Sequence, residues 1–108
     1  MTLDMPDEPS FKPVPWIGTS LKDLRRFPAL VQDVVGYALY LAQVGGKHPD
    51  AKVPSGFGGA GVLEVISDYR GNTFRAVYTL KYAGTVYVLH AFQRNRRPVG
   101  QRRAGTWN

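Results

Sequence analysis

Thr73-Phe74-Arg75-Ala76-Val77-Tyr78-Thr79-Leu80-Lys81-Tyr82 is the stretch that decides the fold. Successive side chains of a strand point to opposite faces, so Phe74, Ala76, Tyr78 and Leu80 share one face while Arg75, Val77, Thr79 and Lys81 share the other. Upstream Val62–Ser67 and downstream Thr85–Phe92 are likewise rich in Val, Leu, Tyr and Thr. The breaks between them, Asp68-Tyr69-Arg70-Gly71-Asn72 and Ala83-Gly84, are turn-forming sequences. Three consecutive antiparallel strands are expected.

Outward from this meander, Lys47–Gly61 holds two prolines and four glycines and reads as a loop. Before it the period changes from two to 3.6. Leu30, Val34, Tyr37, Leu41 and Val44 recur at spacings of three and four, with Gln32, Asp33 and Gln43 off that stripe, so a helix is expected from Pro28 to the Gly45-Gly46 stop with this stripe as its buried side. Thr19 or Ser20 is an N-cap for a short preceding helix that yields at Phe27, the residue before Pro28. Phe11–Ile17 contains Pro13 and Pro15 and is an edge strand at best. The fold class is therefore α+β: two N-terminal helices packed on one face of a small antiparallel β-sheet, the other face open to a partner. Residues 1–10 read as a flexible leader and residues 95–108 as a basic, disordered tail, leaving residues 11–94 as one domain.

Composition narrows the function classes. The chain has 108 residues, 44% of them apolar and 20% charged, which suits one folded domain. It has no cysteine, so a disulfide framework, a thiolate nucleophile and a cysteine zinc site are excluded. No apolar run reaches the roughly 18 residues of a spanning helix, and the acidic start is unlike a signal peptide; a cytoplasmic protein with no membrane partner is expected. The net charge of +6 is unevenly placed. Residues 1–64 carry six Lys/Arg and seven Asp/Glu, a net −1, whereas residues 65–108 carry eight and one, a net +7. Such an excess marks phosphate binding, or alternatively a solubilising tail.

The strand residues Phe74-Arg75-Ala76-Val77-Tyr78 resemble the YR-x-(V/L)-Y strand of the RelE/ParE toxin superfamily. Val88-Leu89-His90-Ala91-Phe92-Gln93-Arg94 resembles the LHAF-x-K strand of its HigB-like, phage-derived branch. Gly56–Glu64 and Trp16–Leu24 are similar to the loop and the opening of the same branch. The resemblance spans residues 12–94; beyond Arg94 the chain departs from the branch, because Pro98, Gly100 and Gly105 oppose its C-terminal helix. It implies a toxin of a type II toxin–antitoxin system: a ribosome-dependent mRNA endoribonuclease that uses no metal and no cofactor. The implied partners are a cognate helix-turn-helix (HigA-like) antitoxin and mRNA on the ribosome. The implied chemistry is attack of a ribose 2′-hydroxyl on the adjacent phosphodiester, which needs a base, a cation on the phosphorane and an acid.

Carried over by position, Arg75 is the cation on the scissile phosphate, since a guanidinium fits phosphate oxygens bidentately. Arg94 lies where the family places a basic group or proton donor. Glu64 stands near a position that holds lysine in some members; it is a candidate base, or equally a partner of Arg75 across adjacent strands. Lys47, His48, Lys52, Lys81, Arg96 and Arg97 are candidate RNA contacts. His90, with regular alternation placing it beside Val88 and Phe92, reads as a structural histidine. Tyr78, Tyr82 and Tyr87 are base-stacking candidates or core residues. Two other readings stay open: a gyrase-targeting ParE-like toxin, and a catalytically inactive antitoxin-binding module.

Overall fold

A computed structural model describes residues 11–56, 58 and 61–95. The leader expected over residues 1–10 and residues 96–108 of the tail expected over 95–108 lie outside the described residues; Asn95, the first residue of that expected tail, instead pairs with Asn72 as the last residue of a strand. The elements run α1 (Ser20–Leu24), α2 (Ala29–Gln43), β1 (Ala51–Lys52), β2 (Val62–Tyr69), β3 (Asn72–Thr79) and β4 (Val88–Asn95), with the strands in one antiparallel sheet of order β1-β2-β3-β4. The α+β architecture is the one expected from the sequence. β1 was not expected: two residues inside the loop carry no readable period, yet they pair with β2 as Ala51↔Val65 and Lys52↔Glu64.

The β2–β3 connection is tighter than its sequence announces. Tyr69 pairs with Asn72, so the loop is Arg70-Gly71, and both have positive φ, +52° and +83°. Positive φ at both positions is the requirement of a type I′ hairpin, whose twist matches that of the strands. At the other end of the sheet, Pro13 and Pro15 contribute only acceptors. Val86 N–H donates to Pro13 O at 3.0 Å, Val88 N–H to Pro15 O at 3.0 Å, and Ile17 N–H to Val88 O at 2.9 Å. The proline segment thus lies parallel against the outer edge of the last strand, the one location where missing N–H groups cost nothing.

The buried face of α2 is not the expected one. Val31, Val35, Ala38, Leu39 and Ala42 face the sheet, whereas Leu30, Tyr37 and Val44 are exposed. The helix carries two apolar stripes one residue apart, and periodicity alone does not rank them. Small side chains do: Ala38 and Ala42 let the helix axis approach the sheet, where Tyr37 would hold it off. The helix ends in a Schellman motif, with Gly45 N–H donating to Ala42 O, Gly46 N–H to Leu41 O and Gly45 at φ +90°. Thr19 caps α1 by position, but its hydroxyl donates to the Asp23 carboxylate at 2.8 Å, not to the backbone. The core lies between α1/α2 and one sheet face, where Phe27 meets Phe74 at 4.9 Å between ring centroids and Tyr78 is fully buried. Burial of its hydroxyl, which has no partner among the described residues, pushes the Tyr78 phenol up to about 12.

Candidate nucleic-acid interface

The face of the sheet away from the helices is built by register. Directly opposed residues of antiparallel strands share a face. Three rungs follow: Lys52–Glu64–Val77–His90, then Ile66–Arg75–Phe92, then Asp68–Thr73–Arg94. Glu64, Arg75 and Arg94 therefore stand on one surface in successive rungs, each a diagonal neighbour of the next, about 7–8 Å apart at the backbone. The resemblance implies roles for these three side chains, and the register sets them on one face.

Arg75 Nη1 donates to Glu64 Oε1 at 3.1 Å, across β3 and β2. Glu64 is buried and Arg75 is partly covered, its side chain 27% exposed. The Arg75 Nε is buried with no acceptor among the described residues. A buried charged donor without a partner is costly, and such positions cluster where a ligand supplies the missing acceptor. Lys52 reaches this surface because β1 sets it directly across from Glu64, and it is exposed. Thr73 donates its hydroxyl to Asp68 at 2.8 Å on the rung of Arg94, itself exposed.

His90 corrects the sequence reading. The β3–β4 register shifts between Val77 and Tyr78: Tyr78 pairs with Val88, but Val77 pairs with His90. Leu89 is the additional residue of a β-bulge. Without it, regular alternation would turn His90 inward with Val88; with it, Val88 stays in the core and His90 is exposed on the open face. Its imidazole lies against the ring of Phe92, 4.8 Å between centroids. A bulge leaves no mark in a single sequence beyond the two neighbouring residues Leu89-His90, of which only the histidine looks polar.

Other expectations fall elsewhere. His48 is buried, packs edge-on against Tyr37 at 5.7 Å and accepts the Asp50 N–H on Nδ1 at 3.0 Å, so it is a structural residue of the loop after α2 and not an RNA contact. Lys47 is exposed on that same loop. Tyr78 is core and stacks on no base. Lys81 is exposed just past β3, with Nζ 5.3 Å from the Tyr82 ring. Arg96 and Arg97 lie outside the described residues. Among the described residues no group of three or more His, Asp or Glu side chains is placed to hold a metal ion, and no helix is long and apolar enough to cross a membrane.

Comparison with protein families gives a match to the model described as phage-derived protein Gp49-like (DUF891), over residues 22–102. The match takes in the end of α1, all of α2 and the whole sheet, hence every residue of the open face named above. The chain belongs to the Gp49-like family. This is a RelE/toxin-like family. Comparison with curated proteins and with solved structures gives no match. In this Gp49-like chain the arrangement supplies a carboxylate at one side of an arginine and an imidazole at the other, over a surface with further cations. Those are the elements of proton transfer around a phosphate.

Proposed function

We propose that this Gp49-like protein is the toxin of a type II toxin–antitoxin pair and acts as a ribosome-dependent mRNA endoribonuclease. The observation that carries the reading is the placement of Glu64 and His90 on either side of Val77, with Arg75 in the next rung, on one open face. Two strand spacings separate the Glu64 and His90 backbones by about 10 Å, which leaves room for a phosphodiester between their side chains. In this mechanism the Glu64 carboxylate takes the proton of the ribose 2′-hydroxyl as the oxygen attacks phosphorus. Arg75 holds the charge of the phosphorane, and the His90 imidazolium gives a proton to the departing 5′-oxygen. The products are a 2′,3′-cyclic phosphate and a 5′-hydroxyl. Lys52 and Arg94 sit where flanking phosphates pass.

The partner half of the reading is supported by the second apolar stripe of α2. Leu30, Tyr37, Tyr40 and Val44 are exposed together, and an apolar surface of this kind on a small protein calls for a cover, here the antitoxin. The closed Arg75–Glu64 contact favours one competing reading, an inactive antitoxin-binding module in which the pair is purely structural. Purified protein added to translating ribosomes, with primer extension on the mRNA, separates the two. Endonucleolytic products within the reading frame support the enzyme; intact mRNA beside a stable antitoxin complex supports the module.

A further inference from the structure

A groove of about 490 Å³ opens at the end of the sheet opposite the Arg70-Gly71 hairpin, where β3 ends and β4 begins, walled by Ile17, Thr79, Tyr82, Tyr87 and Leu89, with Lys81 at its side. It continues the face already described. Thr79 lies four residues beyond Arg75 on β3, on the same side of the strand, about 13 Å along it. The walls are apolar yet open to solvent: Ile17, Tyr82 and Leu89 are 44%, 46% and 39% exposed. Leu89 is the bulge residue, so the distortion that turns His90 outward also supplies this wall.

The groove combines two features that together recognise a nucleotide. Tyr82 and Tyr87 meet edge to face at 5.2 Å between centroids, the first offering an exposed aromatic surface. The Lys81 ammonium stands over the Tyr82 ring at 5.3 Å. Among the described residues no acidic side chain lines the groove. Lys81 is held there by the backbone: Leu80 N–H donates to Gly61 O at 2.7 Å, and Gly61, at φ +69°, comes so close that a Cβ there would collide with the Lys81 Cβ. The Thr79 hydroxyl already accepts the Tyr87 N–H at 3.1 Å. The site therefore grips a ring by its face and its charge, without reading the polar edge of the base.

We infer that this groove takes a base of the single-stranded RNA whose phosphate meets Arg75, by stacking on Tyr82 with Lys81 on the adjoining phosphate. The inference rests on the reading of the open face as an RNA surface. Stacking tolerates any base, so the subsite adds affinity and fixes the strand's direction without selecting sequence.

The test is binding of a short single-stranded RNA carrying 2-aminopurine at successive positions, to wild type, Tyr82→Ala, Tyr82→Phe and Lys81→Gln. At one position the wild-type protein quenches the fluorophore. Tyr82→Ala weakens binding by about 5- to 100-fold and abolishes the quenching, Tyr82→Phe retains both, and an abasic nucleotide there removes the difference between wild type and Tyr82→Ala. Lys81→Gln lowers the salt dependence of binding while leaving the quenching. Wild-type binding of RNA that Tyr82→Ala matches, with equal quenching, overturns the subsite and leaves the RNA surface standing. Absence of RNA binding by folded wild type overturns both. Loss of antitoxin capture by Tyr82→Ala with RNA affinity unchanged gives the groove to a protein segment and likewise overturns the inference.

Discussion

Replacing Arg75 separates a structural ion pair from a phosphate ligand. Arg75→Ala leaves the Glu64 carboxylate, 7% exposed, without its cation. Breaking a fully buried pair costs about 3–5 kcal/mol, and the 27% exposure of the Arg75 side chain lets water reach the carboxylate and lowers that to roughly 1–3 kcal/mol. Replacing both partners by apolar residues of similar size, Glu64→Leu with Arg75→Met, removes the uncompensated charge and restores stability to within about 1 kcal/mol of wild type. RNA binding behaves differently. A single-stranded phosphate contact contributes about 0.7 to the slope of log K against log salt, so both variants lose about that much slope, the stable double variant included. Urea unfolding and RNA titration across a salt series read the two quantities on the same proteins. A double variant with wild-type affinity and slope refutes Arg75 as a phosphate ligand; one that remains as unstable as Arg75→Ala refutes the desolvation argument.

Three further outcomes are expected. His90→Ala lowers the RNA cleavage rate by about 10²–10⁴-fold while unfolding shifts by less than about 0.5 kcal/mol, because the side chain is exposed; single-turnover cleavage and a thermal melt check the two together. The Tyr78 phenol titrates near 10 in the unfolded chain and about 12 in the fold, so above pH 10 the unfolded state binds fewer protons and stability falls by about 2–3 kcal/mol as pH rises to 12, a slope that Tyr78→Phe removes in alkaline urea titrations. Gly61→Ala forces a side chain into left-handed backbone against Lys81 and destabilises by more than about 1 kcal/mol in urea unfolding, whereas Gly84→Ala, with open space around it, stays close to wild type.

The parts of this protein that were legible in its sequence are those governed by period and by punctuation. The alternation through β3 places Phe74, Ala76 and Tyr78 in the core and Arg75 and Val77 on the open face, and the structure agrees residue by residue. The proline segment at the sheet edge was legible for the same kind of reason, since Pro13 and Pro15 donate to no ladder. Where two solutions satisfied the same period, the sequence did not choose. On α2 the stripes through Leu30 and through Val31 are both apolar, and only the packing distance set by Ala38 and Ala42 decides. β1 pairs through two residues, too few for any period, so the strand that sets Lys52, an expected RNA contact, directly across from Glu64 was not legible. His90 was misread because one bulged residue resets the alternation of everything after it. The Arg75–Glu64 contact was foreseen as one of two alternatives, because their strands are adjacent and their charges opposite; its place among the chemistry depends on His90, which the bulge alone delivers.

The most direct test is induced expression in bacteria with mapping of 5′-hydroxyl transcript ends, for wild type, His90→Ala and the Glu64→Leu/Arg75→Met pair. The account predicts cuts within translated codons that both variants lose while remaining folded. Cuts that persist in the variants, or a folded wild type that leaves transcripts intact, would contradict it.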